Sequence, residues 1–227
     1  MTLTHKDIYE KFMIEYDKDN VTSSYPSLTR KEQATILDKA YLALIAQKMT
    51  GNNVRRSRLE TDIKSISDLQ PLICTVDDSA DFQLDLVGIV PNVVGGKLPD
   101  DFLYFVSGYV HVENSQILPI QIVDHNTAKR FFATPHNKPW IKTPVCYIEE
   151  NIMYVVYDPE DYEDGFQYAG ITYVMTPAKF VSDTDSTPFE LNDSMAEELI
   201  SLAVTFALEN VESQRLNTKL NTRGLEA

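Results

Sequence analysis

Residues Ser194 to Val211 read SMAEELISLAVTFALENV, a helical pattern with apolar side chains around most of its circumference. At about 100° per residue, one apolar stripe of this helix consists of Met195, Leu199, Leu202, Ala203 and Phe206. A second stripe beside it consists of Ile200, Val204, Ala207, Leu208 and Val211. Together the stripes cover roughly two-thirds of the helix, whereas a helix lying on one core needs a stripe of about 100°. The pattern therefore predicts a helix that is buried on two sides.

Two interpretations of this double burial are open. Either the helix lies between two layers of its own domain, or a second subunit covers the second stripe. The interface interpretation assigns the contact between subunits to Ile200, Val204, Leu208 and Val211. Ser194, followed three residues later by Glu197, has the form of a capping box and predicts the start of the helix.

Three further helical patterns occupy the first seventy residues. Thr4 is the predicted cap of the first, whose apolar side consists of Ile8, Tyr9, Phe12, Met13 and Tyr16. Thr29 and Glu32 form a capping box for the second, and Gly51 is placed to end it. The apolar side of this second helix consists of Ile36, Leu37, Ala40, Tyr41, Leu44 and Ile45. The third has Leu59, Ile63 and Ile66 on one side and is closed by Pro71.

The composition changes after residue 71 to β-branched and aromatic runs separated by Gly, Pro and Asp. The predicted strands are Gln83 to Val90, Phe102 to Val112, Ile117 to Val123, Val145 to Tyr157 and Gln167 to Met175. Because the run from Phe102 to Val106 is nearly continuous apolar sequence, that strand is expected to be buried on both faces. Asp124 to Phe132 is expected to form a short helix or a turn, and Gly95-Gly96 a turn between strands.

These patterns predict an α+β fold with N-terminal helical segments, a mostly antiparallel β region and a long C-terminal helix. The predicted boundaries are a helical unit over 1–70 and a β-rich region over 71–188. A long helix over 189–218 is expected to pack on the rest, and residues 219–227 to form a mobile tail.

Composition narrows the classes of function. A formal net charge of −14 disfavours nonspecific binding to DNA, which requires cations against the phosphates. The two cysteines, Cys74 and Cys146, are too few for a disulfide framework or a metal cluster and indicate a reducing compartment. The sequence has neither a secretory h-region nor an apolar run of the roughly 18 residues that span a bilayer, which predicts an aqueous intracellular location.

Signals for chemistry are weak. The sequence has no metalloprotease zinc motif and no nucleophile elbow, and its histidines, His5, His111, His125 and His136, show no metal-ligand spacing. His111 is expected to share a sheet face with Tyr109. Asp124-His125 can orient a general base in principle, but no nucleophile is identifiable beside it. No catalytic, cofactor-binding or metal-binding residue is predicted, and the acidic run from Asp158 to Asp164 is expected to be a solvated loop.

Arg55, Arg56 and Arg58 form the dense basic cluster of this acidic chain. As a DNA contact the cluster would be isolated, without interleaved aromatic residues. Two interpretations remain: a solvated start of a helix, or an ionic contact with acidic groups of an adjacent copy.

Several stretches together resemble a known family. They are FMIEYD at residues 12–17, YPSLT at 25–29, the helix at 36–46, TPHNKPWI at 134–141, ITYVMTP at 171–177 and EELISLA at 197–203. The set covers most of the chain and is similar to virion structural proteins of crAss-like tailed bacteriophages, in particular the ring proteins of the head-to-tail connector. Its motifs are structural and carry no chemical signature.

The resemblance implies a non-enzymatic subunit that forms a ring of about twelve copies beneath the portal protein. Neighbouring connector or tail proteins would be its other partners, and the genome would pass through without specific binding. The implied location is the virion, after synthesis in the host cytoplasm. Two alternatives come from other classes. One is a hydrolase-type enzyme with a cleft that gathers Asp124, His125 and Cys146, and the other is a binding or scaffolding module whose helical front captures a peptide.

Overall fold

The structure is a computed structural model that describes residues 3–19, 28–51, 63–76, 85–86, 93–112, 116–133, 144–157, 169–181 and 185–210. The chain divides into two compact units. The helical unit contains residues 1–72 and 177–227, and the β unit contains residues 73–176. Helices at both ends and a mostly antiparallel β region between them confirm the predicted α+β class.

The helical unit contains α1 (His5–Asp19), α2 (Arg30–Thr50), α3 (Ile63–Leu69), a 3₁₀ turn (Gln70–Leu72) and α5 (Asp193–Asn210). The predicted caps of its first two helices are confirmed. Thr29 exchanges hydrogen bonds with Glu32 at the start of α2, and Thr4 does the same with Asp7 at the start of α1. Gly51 ends α2 with φ of 73°, a left-handed conformation that glycine adopts without strain.

The start of α5 differs from the prediction. The backbone N–H of Met195 donates to Asn192 Oδ1 at 2.9 Å, so the helix begins at Asp193 and Asn192, not Ser194, is the cap. Glu197 does not complete a box, because its carboxylate accepts a hydrogen bond from Lys11 of α1. α5 packs against both α1 and α2, and eleven of its residues are buried.

The segment before α5 belongs to the helical unit, so the division lies after Thr176 and not at the predicted residue 188. Glu190 holds this segment to α2, since its carboxylate accepts from Tyr41 Oη at 3.1 Å and from the N–H of Ala178 at 3.2 Å. Phe180 is buried, and its N–H donates to Asp38 of α2 at 2.9 Å. Ala178 and Phe180 lie outside the helices and strands, so these carboxylates satisfy backbone N–H groups that would otherwise lack an acceptor.

At Ile66 the third helix differs from the prediction. Ile66, expected on the apolar side, is 42% exposed, whereas Asp68 and Leu69 are buried. Leu59 and the side chain of Ile63 lie outside what the structure describes.

The β unit consists of two sheets. The four-stranded sheet has the order β1-β9-β4-β5, and each neighbouring pair is antiparallel. Its strands are β1 (Ile73–Val76), β4 (Phe102–Val112), β5 (Gln116–Pro119) and β9 (Ala169–Met175). The five-stranded sheet has the order β2-β3-β8-β7-β6, in which β6 and β7 are parallel. Its strands are β2 (Asp85–Leu86), β3 (Val93–Lys97), β6 (Gln121–Ile122), β7 (Val145–Glu149) and β8 (Ile152–Val156).

The two sheets form a sandwich around one apolar core. The five-stranded sheet contributes Val94, Cys146, Met153 and Val155, and the four-stranded sheet contributes Val110, Ala169, Ile171 and Tyr173. A second, smaller cluster lies on the other face of the five-stranded sheet, where α4 (His125–Ala133) packs on β7. Both faces of that sheet therefore have apolar contacts.

Several strand predictions need correction. Val145 to Tyr157 is a hairpin of two strands, because Glu150 and Asn151 adopt positive φ of 49° and 64° and turn the chain. Residues 117–123 divide between β5 and β6, which belong to different sheets. Gly95 and Gly96 lie inside β3 and not in a turn. β4 has the predicted bounds, but residues 102–106 are half-buried and not buried on both faces.

Candidate functional site

The apolar stripe of α5 that was assigned to a subunit interface is buried inside the chain. Ile200, Val204 and Leu208 are 0%, 0% and 1% exposed. Because α1 and α2 both pack on α5, each stripe finds its partners within one copy. These three side chains have no surface left for a second copy, so the interface assignment is wrong and the helix is central to its own unit. Val211 lies outside the described residues.

The second predicted contact is not described by the structure. Arg55, Arg56 and Arg58 fall outside the described residues, as do His136 and the acidic run at 158–164. The ionic contact between copies therefore stays a prediction.

The residues of the alternative enzymatic site come close in the β unit, but they have other tasks. Asp124 caps α4, where its Oδ1 accepts from the N–H of Thr127 at 2.6 Å. This hydrogen bonding with Thr127 holds the pKa of the Asp124 carboxyl below its ordinary value. His125 is exposed, and its ring meets Tyr147 edge to face at 5.5 Å. Asp124 therefore stabilises the helix start and does not orient the imidazole.

Cys146 points away from this histidine. Successive side chains of a strand point to opposite faces. Tyr147, beside His125, belongs to the outer cluster of the five-stranded sheet, while Cys146 belongs to the inner core. Burial raises the pKa of the Cys146 thiol to about 12. The thiol is therefore protonated at neutral pH and lies on the other side of the sheet from His125, so the two do not form a nucleophile and base pair.

The other described histidines also have structural surroundings. His111 contacts Tyr109 edge to face at 5.4 Å, as expected for two residues on one sheet face. His5 is fully buried, stacks on Phe180 at 4.3 Å and places Nδ1 3.3 Å from Asp185 Oδ2. Within the described ranges, no group of three or more His, Cys, Asp or Glu side chains is arranged to hold a metal ion.

A charged cluster joins three helices of the helical unit. Lys48 of α2 places Nζ 3.2 Å from Asp68 Oδ2 and 2.9 Å from Glu198 Oε2. The other oxygen of Asp68 accepts from Asn192 Nδ2 at 3.2 Å, next to the start of α5. Asp68 is buried, so these two donors offset the cost of removing its carboxylate from water. The cluster connects the ends of α2 and α3 with the start of α5.

Large aliphatic side chains are exposed on both units. In the helical unit they are Ile14, Leu42, Ile66 and Val181. In the β unit they are Ile117 and Ile122, which are 57% and 47% exposed. The latter two lie in residues 116–122, named here the β5–β6 segment, which reads QILPIQI and contains no charged residue. Single exposed aliphatics are ordinary on protein surfaces, but an uncharged segment that forms the edges of two sheets is a candidate contact surface.

The sequence pattern of residues 117–123 predicts one strand and does not reveal that the β5–β6 segment divides between two sheets. β5 ends the four-stranded sheet and β6 ends the five-stranded sheet. The available signal is the absence of charge together with Pro119, since edge strands often carry a proline. The order of strands in a sheet cannot be read from this local pattern.

Comparison with known proteins adds no assignment: no family model matches the sequence, and no curated protein matches it. Among the described helices, none combines the length and the apolarity that crossing a membrane requires.

Proposed function

We propose that this protein is a structural subunit of the head-to-tail connector of a tailed bacteriophage. In this proposal, about twelve copies form a ring beneath the portal protein and join the head to neighbouring connector or tail proteins. The genome passes through the ring without specific binding. The protein acts in the virion after synthesis in the host cytoplasm and catalyses no reaction.

The sequence resemblance is the starting point. Its described stretches coincide with elements that build both units, because residues 12–17 lie in α1, residues 36–46 in α2, residues 171–175 in β9 and residues 197–203 in α5. α2 and α5 pack together, and β9 lies at the centre of the four-stranded sheet. The stretches that carry the resemblance thus lie in core elements of both units.

The single structural observation that carries the proposal is the β5–β6 segment. A subunit that only folds gains little from an uncharged sheet edge with Ile117 and Ile122 exposed, and such edges promote unwanted pairing. A subunit that assembles gains a surface free of like-charge repulsion, which matters in a chain with a net charge of −14. The β5–β6 segment therefore supports assembly more directly than α5, whose second apolar stripe was predicted to be the subunit interface.

The net charge supports the passive role toward DNA. Carboxylates that face a channel repel duplex phosphates, with screening over about 8 Å at physiological ionic strength. Cationic contacts multiplied around a ring would hold a moving genome back. An acidic wall avoids this adhesion.

Native mass spectrometry of the purified chain, followed by electron microscopy of any assembly, tests the proposal. The expected result is a closed ring of about twelve copies with a central channel whose wall carries net negative charge. A chain that stays monomeric at every accessible concentration, both alone and with its portal protein, contradicts the proposal. A channel lined mainly by lysine and arginine contradicts its passive role toward DNA.

A further inference from the structure

The two edge strands of the four-stranded sheet, β1 and β5, run in opposite directions. β5 is antiparallel to β4, β4 to β9 and β9 to β1, so β1 runs antiparallel to β5. In the part of the chain that the structure describes, neither β1 nor β5 has a strand on its other side. A second copy placed beside the first in the same orientation would therefore set its β1 antiparallel to β5. The all-antiparallel order of the sheet would continue across the two copies.

At this edge, the described residues provide no partner strand for the backbone of β5. The N–H of Ile120, directly after β5, donates to the C=O of Gly108 in β4 at 2.8 Å. Because peptide groups alternate in direction along a strand, Leu118 also faces β4, whereas Ile117 and Pro119 turn their peptide groups to the free edge. Pro119 has no N–H, so the free edge of β5 presents one donor and two acceptors.

The backbone of β1 presents a matching set. The N–H of Thr176, directly after β9, donates to the C=O of Asp101 at 2.7 Å, so even-numbered residues of β9 face β4. Odd-numbered residues of β9 then face β1, where Tyr173 is paired with Cys74. Ile73 and Thr75 consequently turn their N–H and C=O groups to the free edge of β1.

The side chains fix the register between the two edges. Thr75 lies on the outer face of the sheet, where its hydroxyl is 3.2 Å from that of Thr172, and Ile117 lies on the outer face beside His111. Leu118 and Cys74 both pack against the inner core. If Ile117 is set opposite Thr75 of the next copy, outer side chains meet outer ones, and Leu118 meets Cys74 on the core side. In this register the inner face and the outer face of the sheet each continue from one copy to the next.

Charge favours the same contact. The four residues of β1 and the four of β5 include no Asp, Glu, Lys or Arg. Two copies that each carry a net charge of −14 repel one another over most of their surfaces, and uncharged edges are where they can approach closely. Joining β5 of one copy to β1 of the next uses both uncharged edges of every copy and forms three backbone hydrogen bonds, two between Ile117 and Thr75 and one from the N–H of Ile73 to the C=O of Pro119.

We infer that copies of this chain join head to tail by adding β1 of one copy to the free edge of β5 of the next, with Ile117 opposite Thr75. The contact uses different surfaces on the two copies, so it repeats around a ring or along a filament and does not stop at a dimer. This inference rests on the proposed function and names the surface through which the ring closes.

Charge substitution at the two edges tests the inference. Ile117→Lys places a cation in the contact and is expected to raise the protein concentration required for half-assembly at least about tenfold. Ile14→Lys is the matched control, since Ile14 is 54% exposed against 57% for Ile117 but lies on α1, outside the β5–β6 segment. It should change this concentration less than about twofold. Both sites are exposed, so the far-ultraviolet circular dichroism and the melting temperature of each variant should match those of the wild type.

A second substitution tests the register. Thr75→Glu alone should also weaken assembly, because it adds a carboxylate to an acidic chain. Combining Thr75→Glu with Ile117→Lys sets opposite charges across the contact and should recover most of the assembly. Assembly of Ile117→Lys at the wild-type concentration, an equal loss with Ile14→Lys, or no recovery in the double variant would each overturn the inference and leave the proposed function standing. A wild-type chain that never assembles would overturn both.

Discussion

The two units of this chain satisfy their backbone polar groups in different ways. Each helix pairs its peptide groups internally, and side chains complete the helix starts, as Thr4, Thr29 and Asn192 do in α1, α2 and α5. The sandwich pairs its peptide groups between strands and leaves both ends of the four-stranded sheet without a neighbour in the described residues.

The comparison shows that the most apolar element of the chain is not the one that remains available for assembly. α5 is the more apolar element, yet its burial is complete within one copy. β1 and β5 are short and only partly apolar, yet among the described residues the N–H and C=O groups on their outer edges have no partner strand. The helical unit is therefore expected to respond to core substitutions by unfolding. The β unit is expected to respond to edge substitutions by losing partners.

The largest expected effect is at the centre of the helical unit. Val204→Asp places an unpaired carboxylate where the side chain is fully buried and should lower the free energy of unfolding by more than about 3 kcal/mol. Urea denaturation followed by circular dichroism measures this loss. Ser194→Asp, exposed on the same helix, adds the same charge and should change the free energy by less than about 0.5 kcal/mol. A Val204→Asp protein that is folded but no longer assembles would contradict the burial of α5 within one copy and would support the interface interpretation.

The next effect concerns the charged cluster. Asp68→Ala removes the acceptor of Lys48 and Asn192 and should cost about 1–3 kcal/mol of unfolding free energy. Asp68→Asn keeps an acceptor for Asn192 and should cost less. Thermal melts of the two variants provide the measurement, and equal losses would show that the bond to Asn192 contributes nothing.

A smaller effect is expected at the start of α2. Thr29→Ala removes the hydroxyl that accepts from the N–H of Glu32 and should cost about 1 kcal/mol. Thr35→Ala is the control, because Thr35 is exposed in the same helix and its hydroxyl donates to the C=O of Lys31. Its loss should stay below about 0.5 kcal/mol. Chemical denaturation of both variants tests whether the cap, rather than any threonine hydroxyl, stabilises the helix.

The smallest effect on stability is expected at the core of the sandwich, where the readout is reactivity. In a Cys74→Ala background, Cys146 should resist alkylation at pH 8 in the folded protein and react fully in urea, because burial raises the pKa of its thiol from 9.0 to about 12. Folding raises this pKa, so the contribution of the thiol to stability is present below pH 9 and is lost as the pH rises through about 12. Rapid labelling of the folded protein would contradict the burial of Cys146.

The helical elements were predicted well where the signal is local. The box of Thr29 and Glu32 and the glycine at 51 act within a few residues of themselves, so the sequence is sufficient to place α2. The cap of α5 was misplaced by two residues because Ser194 and Asn192 are both good caps, and Glu197 is drawn instead to Lys11. That choice depends on a residue far away in the chain.

The strands and the contact surface were less predictable. β4 was placed at its observed bounds, but the hairpin of β7 and β8 was not recognised, since Glu150 and Asn151 lack the glycine that usually marks a tight turn. The assignment of α5 to an interface failed for a different reason. An apolar stripe shows that something covers it but does not show whether the cover belongs to the same copy, which depends on how α1 and α2 pack.

The insertion of the β unit between two parts of the helical unit has a consequence for biosynthesis. Because α5 is the last described helix and provides the surface on which α1 and α2 pack, the helical core cannot close until the ribosome has translated residue 208 or beyond. The β unit is complete at residue 176 and can fold earlier. Its first and last strands, β1 and β9, are adjacent in one sheet. The chain therefore enters and leaves the β unit at neighbouring positions, which keeps the end of the segment carrying α1 and α2 close to the start of the segment carrying α5. The nascent chain thus exposes its sheet edges before its helical unit exists.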